Sequence, residues 1–280
     1  MIVNGVETEK GEVSARDRGF TLGDGLFETM AVYNGAPFAL DRHMERLSTS
    51  AALLRIPVPF NSSVIRSAIV KLAGANSAAR GVARLTLTRG EGARGYGIEG
   101  CGAPSWTLTV EPYEPMPEAK RAAGLTLSLS RHRKNHLSPI SGVKSISALE
   151  RVIMFAEAKE SGADEALALS AEGKVASGVS VNVFWMKGGK LYTPSSGCGA
   201  LMGITRGFVI EIASSTGIET VEGRFELDEL KTADEIFVTN SLMEIAPVSL
   251  IGGIFEAKKE FAAAGMISLE YCKKTADCKE

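Results

Sequence analysis

"SGVKSISALERV", residues 141–152, decides how the second half of this chain is read. Ser145 or Ser147 is placed to cap a helix that runs to about Ser161. The Ser147-x-x-Glu150 spacing fits a capping box, and Gly162 fits a C-terminal stop. Lys144 stands at the mouth of that helix, where the macrodipole disfavours a cation by roughly a few tenths of a kcal/mol. An arbitrary lysine is a solvated surface group. This placement suggests a task without naming it. A lysine amine kept neutral can form a Schiff base with a carbonyl compound.

Working outward, Leu125 to Ser130 is expected as a strand before the lysine. Strands at Ala166–Leu169, Val181–Met186 and Lys190–Tyr192 should follow it, the last two joined by Gly188-Gly189, with a helix from near Thr205. "EPMPEAKRAAG", residues 114–124, is rich in proline and charge and marks a domain boundary. Before it, residues 1–40 alternate short apolar runs with turns, the clearest at Asn34-Gly35. Helices are expected over Asp41–Leu54 and Ser62–Ala73, and "VARLTLTRG" and "SWTLTVEPY" alternate as strands around a glycine-rich loop. The predicted organisation is an N-terminal α/β domain over 1–113, a linker over 114–124 and a C-terminal domain over 125–280.

With 280 residues, of which 45% are hydrophobic and 23% charged, the chain can bury the cores of two domains of about 100–150 residues each. A formal net charge of −2 with dispersed basic residues argues against nucleic acid or an anionic membrane as partner and in favour of a small-molecule substrate. There is no signal-like segment and no apolar run of about 18 residues, so a soluble, cytoplasmic protein is expected. Cys101, Cys198, Cys272 and Cys278 have neither paired spacing nor histidine neighbours and are read as free thiols, without a metal.

"GVKSISALERVIMFAEAKESGADEALAL" (142–169), the N-x-F strand at Asn182, "LYTPS" (191–195) and "MGITRG" (202–207) together resemble the class IV pyridoxal-phosphate enzymes. These are the branched-chain and D-amino-acid aminotransferases and aminodeoxychorismate lyase. The resemblance runs from Asn4 to Val248, with the motifs in family order. It implies a two-domain α+β fold of type IV, whose larger C-terminal domain carries the lysine and forms a pseudo-barrel, and a homodimer. It also implies that Lys144 holds pyridoxal phosphate and moves a proton at the substrate. The cofactor phosphate needs an anion site, which the backbone N–H groups of Ile204 and Thr205 supply at a helix start. By the resemblance Arg46, in "HMERL", adds the charged clamp, and Thr239 or Ser241, in "TNSLMEIAPV", adds a hydroxyl.

At one position the chain departs from the family. Where relatives carry a glutamate that keeps the pyridine nitrogen protonated, "ASGVSVNVF" (176–184) places Ser177, with the register fixed by Asn182-Val183-Phe184. A hydroxyl can hydrogen-bond the nitrogen but cannot stabilise a pyridinium as a carboxylate does. The weaker electron sink suits elimination better than transamination, unless another acid such as Glu172 compensates.

"LTRGEGARGYG" (87–97) and "FVTNSLMEIAPV" (237–248) also resemble the lyases, and Arg89 and Arg94 are candidates to grip substrate carboxylates bidentately. Glu28, in "DGLFETMAV", is instead common to aminotransferases and is the third substrate-side candidate. Thr29, beside it, should face the opposite side of a strand. The expected activity is aminodeoxychorismate lyase, which eliminates pyruvate and leaves 4-aminobenzoate for folate synthesis. The alternatives are a class IV aminotransferase acting on D- or branched-chain amino acids, or a non-catalytic relative that binds the cofactor. His43 is expected to pack or cap. His132 and His136 lie in a basic stretch read as a solvated turn.

Overall fold

A computed structural model describes residues 1–257, 260–276 and 278. The chain divides into two units, the first formed by Met1–Glu114, Val143–Ala148 and the described residues from Thr275 on, the second by Pro115–Gly142 and Leu149–Lys274. The first unit's main segment ends at Glu114. The lysine segment, however, belongs to the N-terminal unit and not to the C-terminal one.

The first unit is built on β1 (Ile2–Val3), β2 (Val6–Glu7), β3 (Gly25–Tyr33), β4 (Ala36–Pro37), β5 (Gly81–Thr88) and β6 (Ser105–Pro112), ordered β2-β1-β6-β5-β3-β4 and antiparallel throughout. Asn34 and Gly35 both take positive φ (53° and 84°), as the tight hairpin turn between β3 and β4 requires. A short helix α1 (Arg18–Leu22), absent from the sequence reading, starts at Asp17, whose carboxylate accepts the Gly19 N–H at 2.7 Å.

Helices α2 (Leu40–Leu54) and α3 (Ser62–Ala75) cover one face of this sheet. Met44, Leu47 and Ile69 pack there on Leu26, Met30, Leu85 and Leu108, which alternate along their strands. That alternation puts Glu28 on the buried face and leaves Phe27 and Thr29 on the other, as expected for Thr29.

The second unit holds α4 (Glu118–Ala123), β7 (Leu125–Lys134), α5 (Leu149–Glu160), β8 (Glu165–Ser170), β9 (Val175–Gly178), β10 (Asn182–Lys187) and β11 (Lys190–Pro194). These are followed by α6 (Ile204–Ser215), β12 (Thr220–Gly223), α7 (Asp228–Lys231), β13 (Glu235–Asn240), β14 (Glu244–Ile251), β15 (Phe255–Glu256) and α8 (Ala262–Ala276), whose end passes to the first unit. The strands run β12-β11-β10-β13-β14-β7-β8-β9, with β15 on β14, and the sheet curls so that β9 returns against β10 and β11. Val183, Trp185, Ile236, Val238 and Leu167 fill its inside. The sheet is mixed, with β14–β7, β7–β8 and β11–β12 parallel. The α+β class and the curled sheet agree with expectation.

Strand β7 runs four residues past Ser130, through the basic stretch read as a solvated turn, because β8 pairs with it as far as Lys134. His132 faces Glu157 at 3.1 Å, and the His136 side chain is only 4% exposed beneath Gly199.

Candidate active site

In the first unit the lysine does not sit on a helix. Residues 143–147 are extended along the edge of β3: Phe27 N–H donates to the Lys144 carbonyl at 3.0 Å, and Ile146 N–H donates to Gly25 O at 3.1 Å. The two serines serve that edge. Ser145 Oγ donates to Gly25 O and Ser147 Oγ to Gly23 O, at 3.3 and 2.9 Å, so the expected Ser147 cap is replaced by a tie to the loop before β3. Helix α5 starts later, at Leu149. Lys144 is thus fixed by backbone pairing to β3 at its own carbonyl and two residues on, and its Nζ lies 4.3 Å from the Phe27 ring centroid. The guanidinium of Arg84, from the neighbouring β5, lies 4.1 Å from the same ring.

Behind β3 is a buried polar triad. Glu28, 1% exposed, accepts from Arg46 Nε and Nη2 at 2.8 and 2.5 Å and is hydrogen-bonded to His43 Nδ1 at 2.7 Å. Burial works against the carboxylate, but His43 and Arg46 overcome it and hold its pKa at about 2. Burial lowers the pKa of His43, so the neutral ring donates its Nδ1 proton to Glu28. Glu28 therefore anchors Arg46 and is not presented to a substrate, which corrects the expectation for it. His43 does pack, as expected, but as part of this network.

Arg89 also departs from its expected role. Its Nε and Nη2 grip Asp24 at 2.7 and 3.0 Å, while Nη1 and Nη2 donate to the Arg55 and Leu54 carbonyls at the end of α2. At 8% exposure with its donors so engaged, it ties the loop to the helix end and has no fork to offer a carboxylate. Arg94 is exposed on the glycine-rich loop.

In the second unit the register opposes Asn182 and Thr239 across β10 and β13, on the face that also carries Phe184 and Phe237 and that α6 covers. Asn182 Nδ2 donates to Leu201 O at 2.8 Å, and Asn182 Oδ1 lies so close to Gly203 that a methyl group there would collide with it. Asn182, which in the sequence served only to mark register, thereby docks the start of α6 beside Thr239. Gly203 gives α6 no side-chain cap, so its first N–H groups, at Ile204 and Thr205, lack that partner. The Thr239 hydroxyl, on a residue 1% exposed, has no hydrogen-bond partner among the described residues. An uncapped helix start beside an orphaned buried hydroxyl fits a phosphate group. Thr205 shares a hydrogen bond with Tyr271 of α8, and Ser241 is half-buried in the turn after β13.

Ser177 lies on β9, 3% exposed. Its Oγ donates to Gly178 O at 2.9 Å and accepts from the Lys134 ammonium, which also donates to Gly178 O at 2.9 Å. None of these partners is a carboxylate. Glu172 pairs with Arg224 and lies 3.2 Å from His136, while the buried Glu165 accepts from the N–H groups of Ala166, Val179 and Ser180 and from Ser180 Oγ. Sequence reasoning missed Lys134 because one lysine in "RHRKNHL" looks like its neighbours until the strand turns it inward.

A family model described as class IV amino-transferase matches residues 25–251. A putative branched-chain-amino-acid aminotransferase of Methanocaldococcus jannaschii is 36% identical over 248 residues, 89% of this chain and 85% of that protein. Aminodeoxychorismate lyase of Bacillus subtilis is 34% identical over 278 residues, 98% and 94% of the two chains. Among solved structures, 4-amino-4-deoxychorismate lyase from Pseudomonas aeruginosa superposes with a TM-score of 0.86 at 31% identity, covering 97% of this chain and 98% of that one.

Proposed function

Because this chain belongs to the class IV aminotransferase family, a family of pyridoxal-phosphate enzymes, we propose that it binds pyridoxal phosphate through Lys144 and acts as an aminodeoxychorismate lyase. When bound, the cofactor supplies a conjugated ring that accepts electrons from the substrate carbon bearing nitrogen. Lys144 removes the proton from that carbon, positioned by the backbone pairing of its segment with β3. The N–H groups of Ile204 and Thr205 and the Thr239 hydroxyl hold the phosphate, with Ser241 at hand in the adjoining turn and Tyr271 bracing the Thr205 side chain. In the first unit Arg46, oriented by Glu28, is the cation that the family resemblance assigns to the phosphate. Arg84 and Arg94 take the substrate carboxylates.

The observation that carries the lyase reading is Ser177. The position where relatives offer a carboxylate to the pyridine nitrogen holds a hydroxyl whose own partner is a lysine. A weaker electron sink suffices when loss of pyruvate leaves an aromatic product. An aminotransferase is the second reading, supported by the 36% identity to the Methanocaldococcus jannaschii relative.

The test is a visible spectrum of the protein with pyridoxal phosphate, repeated for Lys144→Ala, followed by a pyruvate assay on aminodeoxychorismate with no oxo acid present. A band lost in the variant together with acceptor-free pyruvate supports the lyase. A band with turnover only when an oxo acid is added supports the aminotransferase.

No helix among the described residues is long and apolar enough to cross a membrane, and a cytoplasmic location goes with the proposed reaction. The homodimer implied by the family finds support in α5, which exposes Leu149 (74%), Val152 (60%) and Ile153 (45%) at helical spacing for a second copy to cover. Sedimentation of the wild type against Val152→Glu tests it. A monomeric wild type overturns it.

A further inference from the structure

Resting on the reading that Ser177 meets the pyridine nitrogen of bound pyridoxal phosphate, we propose that Lys134 is a positioning residue that acts through Ser177 to hold that nitrogen unprotonated.

Three features of the second unit lead there. The first is the direction of the hydrogen bonds. Ser177 Oγ accepts from Lys134 Nζ, which occupies one of its two lone pairs and polarises its O–H towards donation. A hydroxyl that already accepts from an ammonium is a stronger donor and a weaker acceptor, and only an unprotonated ring nitrogen can take its proton.

The second is that donation towards the ring leaves nothing orphaned. In the structure the Ser177 proton goes to Gly178 O, but Lys134 donates to the same carbonyl at 2.9 Å. When the hydroxyl swings away, Gly178 O keeps a partner and no buried acceptor goes unsatisfied.

The third is charge. A pyridinium would bring a second cation to within one hydroxyl of an ammonium, and like charges disfavour the protonated form. The other ionisable groups around Lys134 do not undo this. Arg151 of α5 adds positive charge, Glu150 of the same helix and Glu165 of β8 oppose it, and the Glu165 carboxylate is committed to the three amides and the hydroxyl named above. Burial and Arg151 bring the Lys134 pKa down to about 8, which still leaves the amine charged at neutral pH.

The experiment is 15N NMR of holoprotein reconstituted with pyridoxal phosphate labelled at the ring nitrogen, titrated from pH 5 to 9. The wild-type resonance should stay at the position of an unprotonated, hydrogen-bonded pyridine throughout. In Lys134→Met the midpoint for ring protonation should rise by about one pH unit or more. Lys134→Arg, which keeps the cation, should restore the wild-type position, and Ser177→Glu should move the resonance to the protonated one. A purely structural lysine would leave the ring nitrogen unmoved in a folded, cofactor-loaded Lys134→Met protein. A wild-type resonance at the protonated position overturns the proposal without any variant. A wild type that takes up the label with its Lys144-dependent visible band, yet shows a protonated ring, overturns this inference alone. A wild type that forms no such band overturns the cofactor reading and this inference with it.

Discussion

Replacing Glu28 by Gln tests the buried triad where its energetics are most readable. The carboxyl is 1% exposed, so solvent screens it little, and its pKa falls from an ordinary 4.5 to about 2 in the folded state. A shift of that size corresponds to about 3 kcal/mol at roughly 1.4 kcal/mol per unit. Because the folded-state pKa is depressed, this stabilisation is full above pH 4.5 and is lost as pH falls through about 2. Gln keeps the shape but not the charge and leaves Arg46, 14% exposed, without its counter-ion. The gap between wild type and variant should therefore be about 3 kcal/mol at pH 6 and shrink to about 1 kcal/mol at pH 2.5.

The assay is urea unfolding of the apoprotein in a Trp185→Phe background, where Trp106 fluorescence follows the first unit. A gap that stays constant between pH 6 and pH 2.5 would refute the reasoning, since the carboxylate would then contribute through shape alone.

Three further outcomes are expected. Thr239→Val should weaken pyridoxal-phosphate binding about 10- to 100-fold, the value of a hydrogen bond to a charged group, measured by titrating the visible band. Arg89→Met should lower stability by about 1.5–3 kcal/mol, read by urea unfolding, with little change in KM, whereas Arg94→Met should raise KM. Because the folded-state pKa of Lys134 is lowered from 10.5 to about 8, the native state releases its proton first and stability should rise with pH between those values. Apo Lys134→Met should lose that rise, and a slope equal to the wild type's would contradict the desolvation of the amine.

The amino-acid pattern by itself determined much of this molecule. Helical spacing located α2, α3 and α6, period-two alternation located β5, β6, β10 and β11, and Asn34-Gly35 specified a turn with positive φ. These are local properties, set within a few residues by backbone sterics and side-chain spacing, so they survive without knowledge of partners.

Only the tertiary structure decided what those side chains face. Pairing with β3 took Lys144 off the expected helix start and into the first unit, and it turned Ser145 and Ser147 from caps into edge ties. Arg89 and Glu28 read in sequence as candidates to meet a substrate. Folding buries them beside Asp24, His43 and Arg46, residues up to 65 positions away, because a buried charge persists only where the fold supplies a counter-charge. Lys134 illustrates the same limit from the other side. Nothing in "RHRKNHL" separates it from its neighbours, and only the β7–β8–β9 pairing brings its amine to the Ser177 hydroxyl.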